Sequence, residues 1–197
     1  MKPSASANTQ VRTSGKAVGA LLAFGLLAVV SCSSGSGGFT NQAVTPSEPI
    51  TALTGAPATV VEVIDGDTVV VEMADRDERV RLVGIDTPEA TGGFLPVECY
   101  GDEASVFTRS LLPPGTEVRL TRDAEARDRY DRLLAYLHRA GDGLFVNLEI
   151  AANGYAEALI IKPNTTHADA FYAAAATARD QGLGLWGACG SADVVLE

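Results

Sequence analysis

The sequence predicts an α+β fold, a small closed barrel of about five short strands with helices packed outside it. Two observations carry this expectation. β-Branched stretches split by turn residues fill the early part of the ordered chain, and segments of helical periodicity are interleaved later. Thr59–Ile64 and Thr68–Met73 read as strands on either side of Asp65-Gly66-Asp67, a turn or bulge signal. Asp75-Arg76-Asp77 is the next turn, and Arg79–Ile85 reads as a third strand with Val80 and Leu82 facing one way and Arg81 the other. After Pro96 the pattern turns helical. Gly101-Asp102 opens a helix in which Ala104, Phe107 and Leu111 recur on one face, and Pro113-Pro114-Gly115 stops it. Thr116–Thr121 and Leu133–His138 read as further strands. Asn147 reads as the cap of a short helix closed by Gly154, and Thr166-His167-Ala168-Asp169 as a capping box opening a last helix that runs to Gly182. Phe171 and Trp186 read as core residues.

The 197 residues hold one ordinary domain and a tail. Lys2, Arg12 and Lys16 precede a nearly uninterrupted apolar or glycine run, Val18–Val30, which is the layout of a signal peptide and is short for a membrane span. It ends in Val29-Val30-Ser31-Cys32, which resembles the lipobox of bacterial lipoproteins, and that likeness makes Cys32 the lipidated residue and new N-terminus. A plain signal peptide with an incidental cysteine, or an uncleaved anchor, is the alternative. Ser33–Gly38 is a flexible tether in composition, and residues 39–57 carry Pro46, Pro49 and Pro57 among small polar residues. The expected organisation is therefore a signal peptide over 1–31, a tether over 32–57, a domain over 58–190 and a tail over 191–197. The implied location is the outer face of a bacterial cell membrane, with the lipid as the membrane contact and a monomer as the simplest state.

Cys99 and Cys189 remain after Cys32 is set aside. Export places them in an oxidising compartment, where an isolated pair usually forms a disulfide. In the chain-entropy model a loop of that length contributes about 4 to 5 kcal/mol. Nothing in the sequence itself shows that they meet; two separate thiols or a metal site is the alternative, weakened because no His or second Cys lies near either one.

The formal net charge is -10, and residues 1–57 contribute three basic residues and one acidic, which leaves -12 on the rest. Proteins that coat nucleic acid are basic, because phosphate neutralisation supplies most of their affinity. That class is excluded, whereas an enzyme that binds transiently with the help of a divalent cation is compatible with an acidic chain.

Three clusters bear chemistry: Asp65-Gly66-Asp67-Thr68, then Arg81 with Asp86-Thr87-Pro88-Glu89, then Arg127–Arg132. Each has an ordinary explanation alone, as a turn, a helix start or a solvated charged face. Together, Asp67 and Asp86 at strand ends supply hard oxygen ligands that suit Ca2+. Two arginines can hold a phosphate and stabilise charge growing in a transition state. A nearby glutamate can deprotonate a water. The two histidines, His138 and His167, give no metal-site pattern.

These blocks resemble the thermonuclease (staphylococcal nuclease) family in order and spacing. Val63–Thr68, Arg81–Glu89 and Asp128–Tyr136 match its motifs, as do Asn153–Ala156, Lys162–His167 and Gly184–Trp186, over roughly residues 58 to 190. The resemblance implies a five-stranded OB-type barrel with three helices, and a calcium-dependent nuclease acting on DNA and RNA with 3′-phosphorylated products. It makes Asp67, Asp86 and the Thr87 carbonyl the calcium ligands, with Asp65 close by. Glu89 becomes the general base, and Arg81 and Arg132 the phosphate-gripping arginines. Arg129, Tyr130 and Lys162 fall at substrate-binding positions, Arg129 where a lysine is familiar.

Three departures stand out. Leu159 and Ile161 occupy positions where well-known members carry tyrosines beside the nucleotide, and loss of such stacking costs about 1 to 3 kcal/mol per base. Asp131 replaces a glycine beside Arg132, and either pairs with it or points to solvent. The acidic balance implies weak, salt-sensitive capture of substrate. A barrel that binds nucleic acid or a protein partner without cutting is the alternative, but it would be expected to have lost part of the set Asp67, Arg81, Asp86, Glu89 and Arg132.

Overall fold

The computed structural model describes residues 54–93 and 95–196, so the expected signal segment, Cys32 and all but the end of the expected tether lie outside the described residues. Strands β1 (Ala56–Val63), β2 (Thr68–Glu72), β3 (Asp77–Leu82), β5 (Glu117–Thr121) and β6 (Leu133–Arg139) close into a barrel in the order β1-β2-β3-β6-β5. Strand β1 starts at Ala56, so the ladder takes in the last two residues of the stretch read as tether. All barrel pairs are antiparallel except β3 with β6, which run parallel from Val80↔Leu133 to Leu82↔Ala135. The alternation read in the sequence puts Val80 and Leu82 inside with Val60, Val69, Val71, Val118, Leu120, Ala135 and Leu137, and leaves Arg81 on the other face.

The stretch Arg79–Ile85 is not one strand. The chain turns at Val83 and continues as β4 (Gly84–Asp86), which leaves the barrel and pairs with β7 (Glu157–Leu159) in a separate two-stranded sheet. Gly84 permits this break: its φ of +90° is costly for any residue with a Cβ, and the Phe171 ring occupies the space a Cβ would need. The turn matters because it carries Asp86 and Thr87 back across the end of the barrel towards Asp67.

Among the described residues four helices lie outside: α1 (Gly101–Leu111), α2 (Val146–Ala152), α3 (Ala168–Asp180) and the short α4 (Leu185–Ala188). Phe171 of α3 is fully buried against the barrel, and Trp186 of α4 is buried in a smaller cluster with Ala178 and Leu185. Two capping assignments are corrected. Phe145, not Asn147, precedes α2. Asn147 is fully buried, accepts the Leu137 N–H at 2.9 Å and donates to the carbonyls of Val83 and Ala135. It satisfies backbone groups where the barrel opens around Val83, a role that short-range capping patterns do not encode. At α3, His167 takes the cap position without a side-chain cap bond. The Thr166 hydroxyl instead donates to Asp123 at 2.8 Å.

Asp123 anchors the loop of residues 160–167 to the barrel. Its carboxylate accepts the Thr166 N–H, the Thr166 hydroxyl and the Tyr136 hydroxyl, the last at 2.7 Å. Burial works to raise its pKa, and the Thr166 and Ala124 amides with the Tyr136 and Thr166 hydroxyls outweigh it and hold the carboxyl below the usual range. A depressed carboxyl stabilises the fold above its unfolded pKa of about 3.9 and loses that contribution as pH falls through the lower folded value. Asp123→Ala is therefore expected to cost about 1 to 3 kcal/mol at neutral pH. The gap in Tm from wild type should close in thermal scans as pH falls below about 4, and a gap that stays constant down to acid would contradict this role.

Candidate active site

The site lies where the β1–β2 turn, the β3–β4 break and the loop before β6 meet. Asp65-Gly66-Asp67 turns the chain between β1 and β2, and the Asp65 carboxylate accepts the Asp67 N–H at 3.1 Å. Gly66 is needed for more than the turn. A Cβ there would sit 2.5 Å from the Thr87 hydroxyl, so only glycine lets the segment after β4 pack this closely. Helix α1 braces the same turn through the buried Thr108 hydroxyl, which donates to the Gly66 carbonyl at 2.7 Å.

Asp67 is buried and accepts three groups from the chain. The Thr68 hydroxyl donates to one oxygen, and the Thr87 N–H and hydroxyl donate to the other. Arg81 joins the two halves of the site: its Nη2 lies 3.0 Å from Asp67 and 2.6 Å from Asp86, and its Nη1 donates to the carbonyls of Leu82 and Ile85. The guanidinium is thus fixed in the turn that ends β3, between two carboxylates from different strands. Arg132 approaches from the start of β6. Its Nε donates to Asp128 at 2.7 Å, and its Nη1 comes within 3.5 Å of the Thr68 hydroxyl. Asp128 orients that arginine while also accepting the backbone N–H groups of Tyr130 and Arg132.

Between the arginines lies a pocket of about 200 Å3 whose wall includes Arg81, Arg132, Leu134, Leu159, Ile161 and Asn164. Leu159 and Ile161 do line it, so its side walls are aliphatic. Tyr130 stands exposed beside it, with the Arg129 and Arg132 guanidinium groups 4.7 and 5.6 Å from its ring centre. Lys162 is exposed and is not part of the wall. Asp131 points to solvent with a side chain 88 % exposed, and its nearest cation is Arg127 at 3.6 Å rather than Arg132.

The electrostatics favour a cation. Burial pushes the Asp86 carboxyl up to about 6; Arg81 opposes the rise, and Asp67, Asp193 and Glu157 add to it. Burial and then the Asp67 charge raise Asp65. Burial, followed by the charges of Asp65, Asp67 and Glu98, raises Glu89. Several acidic groups thus crowd around the guanidinium of Arg81, and the donors are carboxylate and carbonyl oxygens, the set that hard divalent cations take. Asp65, Asp67, Asp86 and the Thr87 carbonyl fit such an ion on the chemistry of their donor atoms.

Three acidic residues near this site were missed in the sequence. Glu157 and Asp193 bring carboxylate oxygens within 4.8 Å of Asp86 and of each other. Glu98 accepts the Glu89 N–H at 2.9 Å. No local pattern marks Glu157 or Asp193, which reach Asp86 only because β7 pairs with β4 and the tail folds back. Glu98 had a weak signal, its place next to Cys99. The Cys99–Cys189 disulfide is formed, across 90 positions of sequence.

Comparison with known proteins gives the family. The family model described as "Staphylococcal nuclease homologue" matches residues 79–188. The chain is 40% identical over 136 residues to a thermonuclease of Staphylococcus intermedius, covering 69% of this chain and 79% of that relative. It is 42% identical over 105 residues to a thermonuclease of Staphylococcus hyicus, covering 53% of this chain and 60% of that relative. It is 34% identical over 129 residues to the endonuclease YncB of Bacillus subtilis (strain 168), covering 64% of this chain and 60% of that relative.

Proposed function

The chain belongs to the staphylococcal nuclease homologue family, and we propose that it is an exported, calcium-dependent nuclease that hydrolyses phosphodiester bonds of DNA and RNA. The observation that carries this reading is the position of Arg81. One guanidinium borders the pocket shared with Arg132 and also touches Asp67 and Asp86. A phosphate gripped by the two arginines would therefore lie beside carboxylates suited to a divalent cation.

Asp67, Asp86 and the Thr87 carbonyl would hold Ca2+, with Asp65 behind them. When bound, the ion supplies positive charge next to the scissile phosphate and lowers the cost of its growing negative charge. The chain's own groups do the rest. Arg81 and Arg132 hold the non-bridging oxygens, and because their partners fix them beforehand they need little rearrangement as charge builds. Glu89 takes a proton from a water whose oxygen bonds to phosphorus as the bond to the 5′-oxygen breaks. Its raised pKa makes it a stronger base than an exposed carboxylate. The 5′-oxygen leaves with a proton from solvent, and the phosphate stays on the 3′ side. The aliphatic walls at Leu159 and Ile161 replace ring stacking by simple apolar contact, which favours weak and base-tolerant binding.

Anchoring by a lipid at Cys32 belongs to the same reading and rests on the Val-Val-Ser-Cys likeness and the preceding apolar run. It would hold a monomeric enzyme at the outer face of the membrane. The bond-breaking step is tested by digesting a short single-stranded DNA with calcium present and identifying the new ends. Fragments with a 3′-phosphate and a 5′-hydroxyl are expected. Products with a 5′-phosphate would overturn the assignment of the leaving oxygen.

A further inference from the structure

The segment that carries Glu89 is held from outside the barrel. Glu98 binds both backbone groups of Glu89: its carboxylate accepts the Glu89 N–H at 2.9 Å, and its own N–H donates to the Glu89 carbonyl at 2.9 Å. Between them, Thr91, Gly92, Gly93, Leu95 and Pro96 are exposed, and a further tie is the surface contact of Thr91 with Asp102 of α1. Glu98 is fixed in turn by the end of the chain. It bridges to Val195, the Cys99 N–H donates to the Val194 carbonyl at 2.7 Å, and the Leu196 N–H donates to the Val97 carbonyl at 2.8 Å. The Cys99–Cys189 disulfide then locks the residue next to Glu98 to the end of α4.

We propose that the C-terminal strap, Cys189–Leu196, is a positioning device for Glu89 that acts through Glu98 and depends on the disulfide. A short terminal segment held by a few surface backbone bonds frays readily. The disulfide removes that freedom at one end, so the remaining bonds close on a fixed point. A general base must stay within hydrogen-bond reach of its water, and a misplacement of about 1 Å can cost about 100-fold in rate. Glu98 touches neither substrate nor reacting atoms in this scheme; it acts through the backbone of Glu89, and its charge is a smaller influence on the Glu89 carboxyl, behind burial, Asp65 and Asp67. The inference rests on the nuclease reading for its consequence in rate, while the clamp itself is measurable without activity.

The test uses the full-length chain and three variants. One carries Cys99→Ser with Cys189→Ser, so that no single thiol is left to pair with Cys32; the others are Glu98→Ala and Glu98→Gln. Well below Tm, the paired serine variant and Glu98→Ala are expected to lose about 10-fold or more in kcat with KM changed by less than about twofold. Glu98→Gln keeps an oxygen that accepts the Glu89 N–H and should recover most of the loss. Combining Glu98→Ala with the serine pair should add little, because both release the same contact.

Amide exchange read by mass spectrometry should show residues 89–98 exchanging faster without the disulfide while β2 and β3 keep their protection. Unchanged kcat with unchanged exchange over 89–98 would overturn the proposal. So would losses that simply add, or exchange that rises equally throughout the barrel, since both describe general destabilisation. If the wild type cuts nothing, the nuclease reading fails and exchange alone decides the clamp: lost protection at 89–98 supports it and retained protection overturns it.

Discussion

Glu89→Gln is expected to lower kcat for calcium-dependent DNA cleavage by about 10²- to 10⁴-fold, the range supplied by a positioned general base. KM should stay close to the wild-type value, because Glu89 lies outside the pocket wall formed by Arg81, Arg132, Leu159 and Ile161. The variant should also fold at least as well. Burial, with Asp65, Asp67 and Glu98, disfavours the ionised Glu89 carboxylate in the folded chain. A carboxyl raised in this way makes the fold less stable as pH rises through its titration, and a neutral glutamine escapes that penalty. Steady-state kinetics and a melting curve at neutral pH check both halves. A loss of activity that tracked a fall in Tm would point to a structural role, and full activity would remove Glu89 from the reaction.

Arg81→Ala is expected to be worse in both respects. Removal of a fixed charge donor at a site of growing negative charge costs about 10²- to 10³-fold in kcat. Here the same guanidinium also separates Asp67 from Asp86 and ties down the carbonyls of Leu82 and Ile85. Asp67 and Arg81 have side chains only 9 % and 15 % exposed, so breaking the pair leaves a mostly buried carboxylate without its cation. That loss is expected to cost about 2 to 4 kcal/mol, near the lower end for buried pairs because Asp86 is partly solvated. Arg132→Ala supplies the contrast. Asp128 keeps two backbone N–H donors when Arg132 is shortened, so a comparable fall in kcat should come with a much smaller fall in Tm. Denaturant titration of both variants, alongside kinetics, separates the two arginines. Equal stability losses would show that Arg81 does not hold the β3–β4 turn together.

The parts of the fold legible in sequence are those in which a local pattern repeats long enough to be read. The barrel strands run for five to eight residues, alternating in β3 and β5 and as a continuous β-branched run in β2, and α1 shows its buried face at Ala104 and its stop at Pro113. Strands β4 and β7, at three residues each, and the four-residue α4 are too short for any period to show. Asn147 and Thr166 were misread for one reason. Both look like helix-start residues, but each found a stronger partner far away in sequence, the opened barrel edge for Asn147 and Asp123 for Thr166.

The site divides along the same line. Asp65, Asp67, Arg81, Asp86, Glu89 and Arg132 stand in compact motifs at strand ends, and a strand end fixes where its side chains go. Glu157 and Asp193 enter through the small sheet and the returning tail, and the order of residues near them gives no notice of it; Glu98 lies in the loop before α1, marked only by the neighbouring Cys99. The sequence around Arg81 points only to a phosphate role; its contact with both carboxylates depends on the chain turning at Gly84, which no local pattern encodes.

The most direct test of the nuclease reading is cleavage of single-stranded DNA by the wild-type chain at low salt, followed over time with calcium, with a chelator, and with calcium restored after chelation. Cleavage that appears with calcium, stops with the chelator and returns on refilling is the expected result. A folded chain that leaves the DNA intact with calcium, or cuts it equally well in the chelator, would contradict the calcium-dependent reading of Asp67, Asp86 and Thr87.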